Sequence, residues 1–172
     1  GSGASITAIK NGKSVDTSMG FTPLSGVMMS TRSGDIDPSI IPFIMEKEHL
    51  SINEVRNDLN KKSGLLGLSG ISSDMRDILK ASLDGNKRAT LALDKYIRRI
   101  TDYIASYYVL LGGIDVLVFT AGVGENSPEI RRLVCEKLEC LGALLDDKVN
   151  ENTPVNIYLT VTAKENITEE AS

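Results

Sequence analysis

Between Leu93 and Leu111, apolar residues return every three or four positions: Leu93, Ile97, Ile100, Ile104, Tyr107 or Tyr108, and Leu111. That spacing draws one stripe along an α-helix. Gly112-Gly113 closes the stripe, and Ile114-Asp115-Val116-Leu117-Val118-Phe119-Thr120 follows at once. Its β-branched and aromatic residues predict a buried strand. Next comes Gly122-Val123-Gly124-Glu125-Asn126, which predicts a glycine-rich turn. Ser127-Pro128-Glu129 then opens a helix that turns Ile130, Leu133, Val134, Leu138 and Leu141 inward. Helix, strand, glycine turn and helix in that order call for a layered α/β architecture.

The chain upstream is punctuated just as clearly. Ala4-Ser5-Ile6-Thr7-Ala8-Ile9 and Ser14-Val15-Asp16-Thr17-Ser18 flank Asn11-Gly12, the favoured type I′ pair, and predict a hairpin. A third extended piece is expected at Val27-Met28-Met29-Ser30. Asp37-Pro38 predicts an N-cap with proline at the first helical position, followed by the apolar face Ile40, Ile41, Ile44 and Met45. Ser51-Ile52-Asn53-Glu54 has the capping-box pattern and opens a helix carrying Ile52, Val55 and Leu59. Three glycines in Ser63-Gly64-Leu65-Leu66-Gly67-Leu68-Ser69-Gly70 predict a loop. A last strand is expected at Val155-Asn156-Ile157-Tyr158-Leu159.

Composition narrows the functional classes. The 172 residues suffice for one ordinary domain, with 41% apolar and 24% charged residues and a net charge of -4. That mildly acidic balance argues against a sequence-independent grip on nucleic acid or anionic lipid. No apolar run approaches a bilayer span, and Gly1-Ser2-Gly3-Ala4-Ser5 lacks the basic and apolar regions of a signal peptide. A cytoplasmic protein is expected. Cys135 and Cys140 are too few for a disulfide framework and poorly spaced for zinc, so free thiols are expected.

Four segments have residues suited to chemistry. Residues 122–126 lie between a strand and a helix, where backbone N–H groups can meet a phosphate. A plain βα turn accounts for the same glycines. Gly1-Ser2-Gly3 has a similar look but opens onto a hairpin. Arg32, set among small residues in Thr31-Arg32-Ser33-Gly34-Asp35-Ile36-Asp37-Pro38, can reach a phosphate or pair with Asp35 or Asp37 at the surface. Asp74-Met75-Arg76-Asp77 starts a helix, where acids complement the dipole or take up sugar hydroxyls while the arginine lies over a base. The single histidine, His49, ends a helix near Lys47, so a nucleophilic triad cannot be assembled around it.

Several of these segments together resemble the acetate kinase family. The matching blocks are Asp16-Thr17-Ser18-Met19-Gly20-Phe21-Thr22-Pro23-Leu24, residues 31–38, residues 59–70, Ser73-Asp74-Met75-Arg76-Asp77, and residues 119–127, in the family's order. The resemblance implies a ribonuclease-H-like α/β domain of the actin and sugar-kinase superfamily, with a mixed sheet flanked by helices. It implies that 1–172 is a single C-terminal nucleotide-binding domain, that the family's N-terminal half is absent, and that the fragment alone turns over little.

By that match Arg32 is the catalytic residue, stabilising the transferring phosphoryl group. Gly1, Ser2 and Gly3 fall on a phosphate-facing loop, Asp74, Met75 and Arg76 on the adenosine segment, and Gly122, Val123, Gly124, Glu125 and Asn126 on a second nucleotide loop. The implied ligands are ATP or ADP and acetate or another short carboxylate such as propionate, with magnesium in the full enzyme and a homodimer as the assembly. The rival of another class is a non-catalytic nucleotide-binding or dimerisation module. Where the family has Pro-Thr-Asn-Glu-Glu near its magnesium, this chain has Val161-Thr162-Ala163-Lys164-Glu165, which assigns no metal ligand here.

Overall fold

Asn11 and Gly12 adopt φ of 53° and 74°, the paired positive values of a type I′ turn. They join β1 (Thr7–Lys10) to β2 (Lys13–Thr17) in the predicted hairpin, and Lys10 stands opposite Lys13. A computed structural model describes residues 3–152 and 157–160, the last four as backbone. Gly1, Ser2 and the tail residues 161–165 lie outside the described residues. The chain forms two compact units, Gly1–Tyr103 and Ile104–Ser172.

In the first unit the expected third strand does not form. Val27, Met28 and Met29 are buried, yet their segment pairs with no strand among the described residues. Its carbonyls serve a helix instead. Ser63, Leu65 and Leu66 donate their N–H groups to the carbonyls of Thr31, Met29 and Ser30. Those donors are the free N–H groups at the start of α3 (Gly64–Ser69), which has no side-chain cap. The glycine-interrupted stretch expected to be a loop is therefore a short helix, capped by main chain from elsewhere. Gly64 makes this possible: at φ 63° its Cβ would overlap the Met29 carbonyl and stand 2.7 Å from the Arg32 carbonyl.

Around this junction lie α1 (Ile40–Glu48), α2 (Ile52–Lys61), α4 (Met75–Leu83) and the long α5 (Lys87–Leu111). The capping box is complete: Ser51 Oγ accepts from Glu54 N, and Glu54 Oε2 accepts from Ser51 N at 2.8 Å. Proline 38 does not begin α1. Asp37 instead accepts from Ser39 N and Ile40 N, so one tight turn precedes the helix. The expected apolar face of α1 is half-buried at best, with Ile40 39% exposed and no residue of the helix buried. On α5 the stripe is as read, with Leu93, Ile97, Ile100, Ile104 and Tyr107 buried. Ala89, Ala92 and Tyr96 join them.

The second unit begins inside α5, which Gly112 and Gly113 end at φ of 78° and 119°. β3 (Val116–Phe119) pairs antiparallel with β4 (Ile157–Thr160). The strand expected to be buried on both faces has one face open: Val116 and Val118 are about half exposed, while Leu117 and Phe119 pack against Cys135. Then come α6 (Ala121–Asn126), α7 (Pro128–Lys137) and, after a single 3-10 turn, α8 (Asp147–Asn152). Ser127 caps α7 by accepting from Ile130 N, with Pro128 at the first helical position as expected. Cys135 is buried and its thiol pKa is pushed up to about 11 by desolvation, whereas Cys140 is exposed. No helix among the described residues is long and apolar enough to cross a membrane.

Gly64→Ala places a methyl group against two carbonyls at a positive φ and is expected to cost roughly 2–4 kcal/mol. Gly12→Ala shares the positive φ, but its Cβ would meet open space, so about 1 kcal/mol is expected. Urea unfolding of the two variants measures the difference.

Candidate functional site

Arg32 leaves the first unit's loop half-buried, with Nη1 3.6 Å from the Met29 sulfur. A Cβ on Gly3 would lie 3.6 Å from the same Nη1. The structure therefore brings together two of the residues singled out from sequence. The surface pairing of Arg32 with Asp35 or Asp37 does not occur. Asp35 Oδ1 accepts from Gly26 N at 2.7 Å, and its Oδ2 accepts from Arg99 at 3.2 Å and the Tyr103 hydroxyl at 2.5 Å. Asp37 caps the turn before α1. Among the described residues Arg32 has no carboxylate partner, so its charge is uncommitted.

The loop geometry enforces that arrangement. Gly34, at φ 69°, lies so close to Gly26 and Met28 that a Cβ would stand 2.6 Å from one carbonyl and 2.7 Å from the next amide nitrogen. Asp35 N also donates to Gly26 O at 3.0 Å. With its main chain pinned on both sides, Asp35 cannot swing toward Arg32. Arg99 and Tyr103 gave no sign of this role in sequence, because on α5 they read as ordinary polar positions beside the apolar stripe.

Asp74 and Arg76 form a second arrangement in the same unit. Asp74 is the N-cap of α4, accepting from Arg76 N at 2.9 Å. The Arg76 guanidinium folds back onto the same carboxylate, with Nε 3.0 Å from Oδ1 and Nη2 2.6 Å from Oδ2. This two-pronged pair lies at the surface, with the Arg76 side chain 88% exposed. The side-chain hydrogen bonds from Arg76 hold the Asp74 pKa down at about 2 and raise that of Arg76. Met75, between them, is 6% exposed and belongs to the core, so a ligand would meet its backbone at most. Neither a hydrogen bond nor an ion pair joins Arg32 to this pair.

In the second unit the glycine-rich segment is not an open turn. It winds into α6 from Ala121, which holds φ 61° despite its Cβ. The Glu125 carboxylate accepts from Ala121 N at 2.7 Å and from Thr120 Oγ1 at 3.3 Å. The N–H group just before residue 122 is thus already engaged. Asn126 Nδ2 donates to Gly122 O at 2.8 Å, and a Cβ placed on Gly124 would meet Phe119 at 3.4 Å. Among the described residues no group of three His, Cys, Asp or Glu side chains gathers as a metal site.

The decisive comparison is with known sequences: the Acetokinase family matches residues 1–168. The chain belongs to that family. An acetate kinase of Treponema denticola is 61% identical over 151 residues, covering 88% of this chain and 38% of its own length. This chain therefore spans well under half the length of that curated relative. Among solved acetokinase-family structures, the Porphyromonas gingivalis acetate kinase superposes with a TM-score of 0.84 at 52% identity. It covers 90% of this chain, which in turn covers 39% of it. A propionate kinase from Francisella tularensis superposes with a TM-score of 0.86 at 43% identity, over 93% of this chain and 42% of its own. The α/β class, with small sheets flanked by helices, is that of the actin and sugar-kinase superfamily, as the acetokinase resemblance implies.

The Asp74 pair makes a pH prediction. Its folded-state pKa is depressed, so the pair's contribution is present above the unfolded value near 4 and is lost as pH falls toward about 2. Carboxyl-carbon NMR should find Asp74 titrating near pH 2, and Arg76→Ala should return it toward the ordinary aspartate range. An unshifted Asp74 in the unmodified protein would contradict the pairing.

Proposed function

We propose that this chain is the nucleotide-handling part of an acetate kinase. In the complete protein, an acetate oxygen attacks the γ-phosphorus of ATP. The bond from that phosphorus to the bridging oxygen of ADP breaks, giving acetyl phosphate and ADP. Family membership supports this reading, and one structural observation carries it: Arg32 is held beside Gly3 with no carboxylate among the described residues to neutralise it.

Phosphoryl transfer asks mainly for positioning and for charge to offset that of the equatorial oxygens. A guanidinium already in place, with its nearest acid engaged elsewhere, needs little reorganisation to meet that charge. Gly3 leaves room for a phosphate against Arg32. Arg76, flattened by Asp74 and exposed, offers a face on which a purine can stack. By the family resemblance, residues 122–126 of the second unit are also assigned to nucleotide binding. Magnesium commonly accompanies such transfers; among the described residues no three His, Cys, Asp or Glu side chains come together as a site for it. The family resemblance also favours a cytoplasmic homodimer.

A second acceptor, propionate, is favoured by the propionate kinase among the structural neighbours. Rates with acetate and propionate for the complete protein containing this chain separate the two. In that protein Arg32→Ala should lower kcat about a thousandfold while changing the KM for ATP little. A change confined to KM would refute the transition-state role. No saturable ATP binding by the unmodified protein would leave only an assembly role.

A further inference from the structure

Arg131 is 1% exposed, on a helix whose other buried positions are Ile130, Val134 and Cys135. No carboxylate pairs with it among the described residues. Its guanidinium instead meets four carbonyl oxygens. Nη1 donates to Gly124 O at 2.9 Å and to Glu125 O at 2.7 Å. Nε donates to Asn150 Oδ1 and Nη2 to Asn150 O, both at 2.7 Å. Asn150, itself 3% exposed, returns Nδ2 to Pro128 O at 3.0 Å. A charged group buried without a counter-charge is expensive, and an apolar residue would pack the same helix face at less cost. Its retention calls for a task that packing does not perform.

We propose that Arg131 is the positioning residue of the nucleotide segment: by gripping the Gly124 and Glu125 carbonyls it fixes the direction in which the 122–126 backbone faces. The inference depends on the nucleotide reading given above. Three features make the grip necessary. α6 has six residues, too few for a helix to hold itself in water. It starts from Ala121 in the left-handed region, which opposes the conformation. Gly122 and Gly124 would let the freed segment adopt many others. The rigid fork of a guanidinium can span two successive carbonyls and still reach Asn150, whereas a lysine ammonium is a point charge and cannot. The positive charge also sits at the C-terminal end of α6, where the helix dipole favours it.

The test uses the complete protein containing this chain, with ATP and acetate as probes. Arg131→Met and Arg131→Lys should each raise the KM for ATP about tenfold. The KM for acetate and the kcat at saturating ATP should change by less than about threefold. Val134→Ala, on the same buried face but outside the hydrogen-bonded grip, should lower the melting temperature and leave both KM values in place. Asn150→Ala, which removes one acceptor and keeps Arg131, gives a milder variant should Arg131→Met fail to fold, with an expected rise of about threefold in the KM for ATP. An unchanged KM for ATP in the Arg131 and Asn150 variants would overturn the proposal. So would parallel rises in both KM values matched by Val134→Ala. Absence of saturable ATP binding in the unmodified protein would instead remove the nucleotide reading and this inference with it.

Discussion

The Asp35 carboxylate accepts from Gly26 N, Arg99 and Tyr103, and the geometry of the whole Arg32 loop follows from that commitment. The loop is folded back on itself between Gly26 and Gly34, where a side chain at either position would overlap neighbouring main chain. Its carbonyls at 29–31 take the free N–H groups at the start of α3. Pinned at these points, the loop holds Arg32 half-buried. The nearest acid in sequence is unavailable to it, so the guanidinium keeps its charge for something else. Committing a carboxylate elsewhere is as much a part of building an anion site as supplying the arginine.

The same economy appears at the two short helices. α3 and α6 have six residues each and contain glycine, so neither has the length or the propensity to persist alone. Both are finished by an arginine from a later helix. Arg88 donates to the Gly67 and Leu68 carbonyls, and Arg131 to those of Gly124 and Glu125. In each case a guanidinium satisfies carbonyls that a helix end leaves open and meets the negative end of its dipole. Arg88 does this at the surface, where water can substitute for it. Arg131 does it in the interior, where nothing can, and removing it leaves several carbonyls without partners.

What could be read from sequence followed from whether the deciding interaction was local. The Asn11-Gly12 turn, the Ser51–Glu54 box and the α5 stripe are settled within a few residues, and all three stand in the structure. The stretches 27–30 and 63–70 have the local pattern of strand and loop but form neither, because each is completed by the other across more than thirty residues. Residues 122–126 look like a turn until Arg131 and Glu125 are in place. β3 has the composition of a strand buried on two faces, but composition does not say how many neighbours it will find. Of the groups missed, only Arg131 left a trace: a charge at a position three before Val134 and seven before Leu138, on the face otherwise given to apolar residues. Arg32 and the Asp74 segment were legible as residues, though not in their pairing.

Counter-charge, more than position in the chain, sorts the arginines by what they can do. Arg76 is neutralised by Asp74 through two parallel hydrogen bonds, so it attracts phosphate weakly, yet its plane is fixed and open to solvent. Such a group suits stacking, where a flat surface matters more than net charge. Arg131 gives four of its five N–H donors to carbonyl oxygens and is itself buried, so on the proposed reading its effect on a nucleotide passes through the backbone it holds. Arg32 alone of the three combines a fixed loop, partial exposure and an unneutralised charge. In a reaction whose transition state differs from its ground state mainly in where negative charge lies, that is the combination able to stabilise one more than the other. On the proposed reading, three tasks often assigned to arginine in general fall to different residues: a platform, a scaffold and a source of charge.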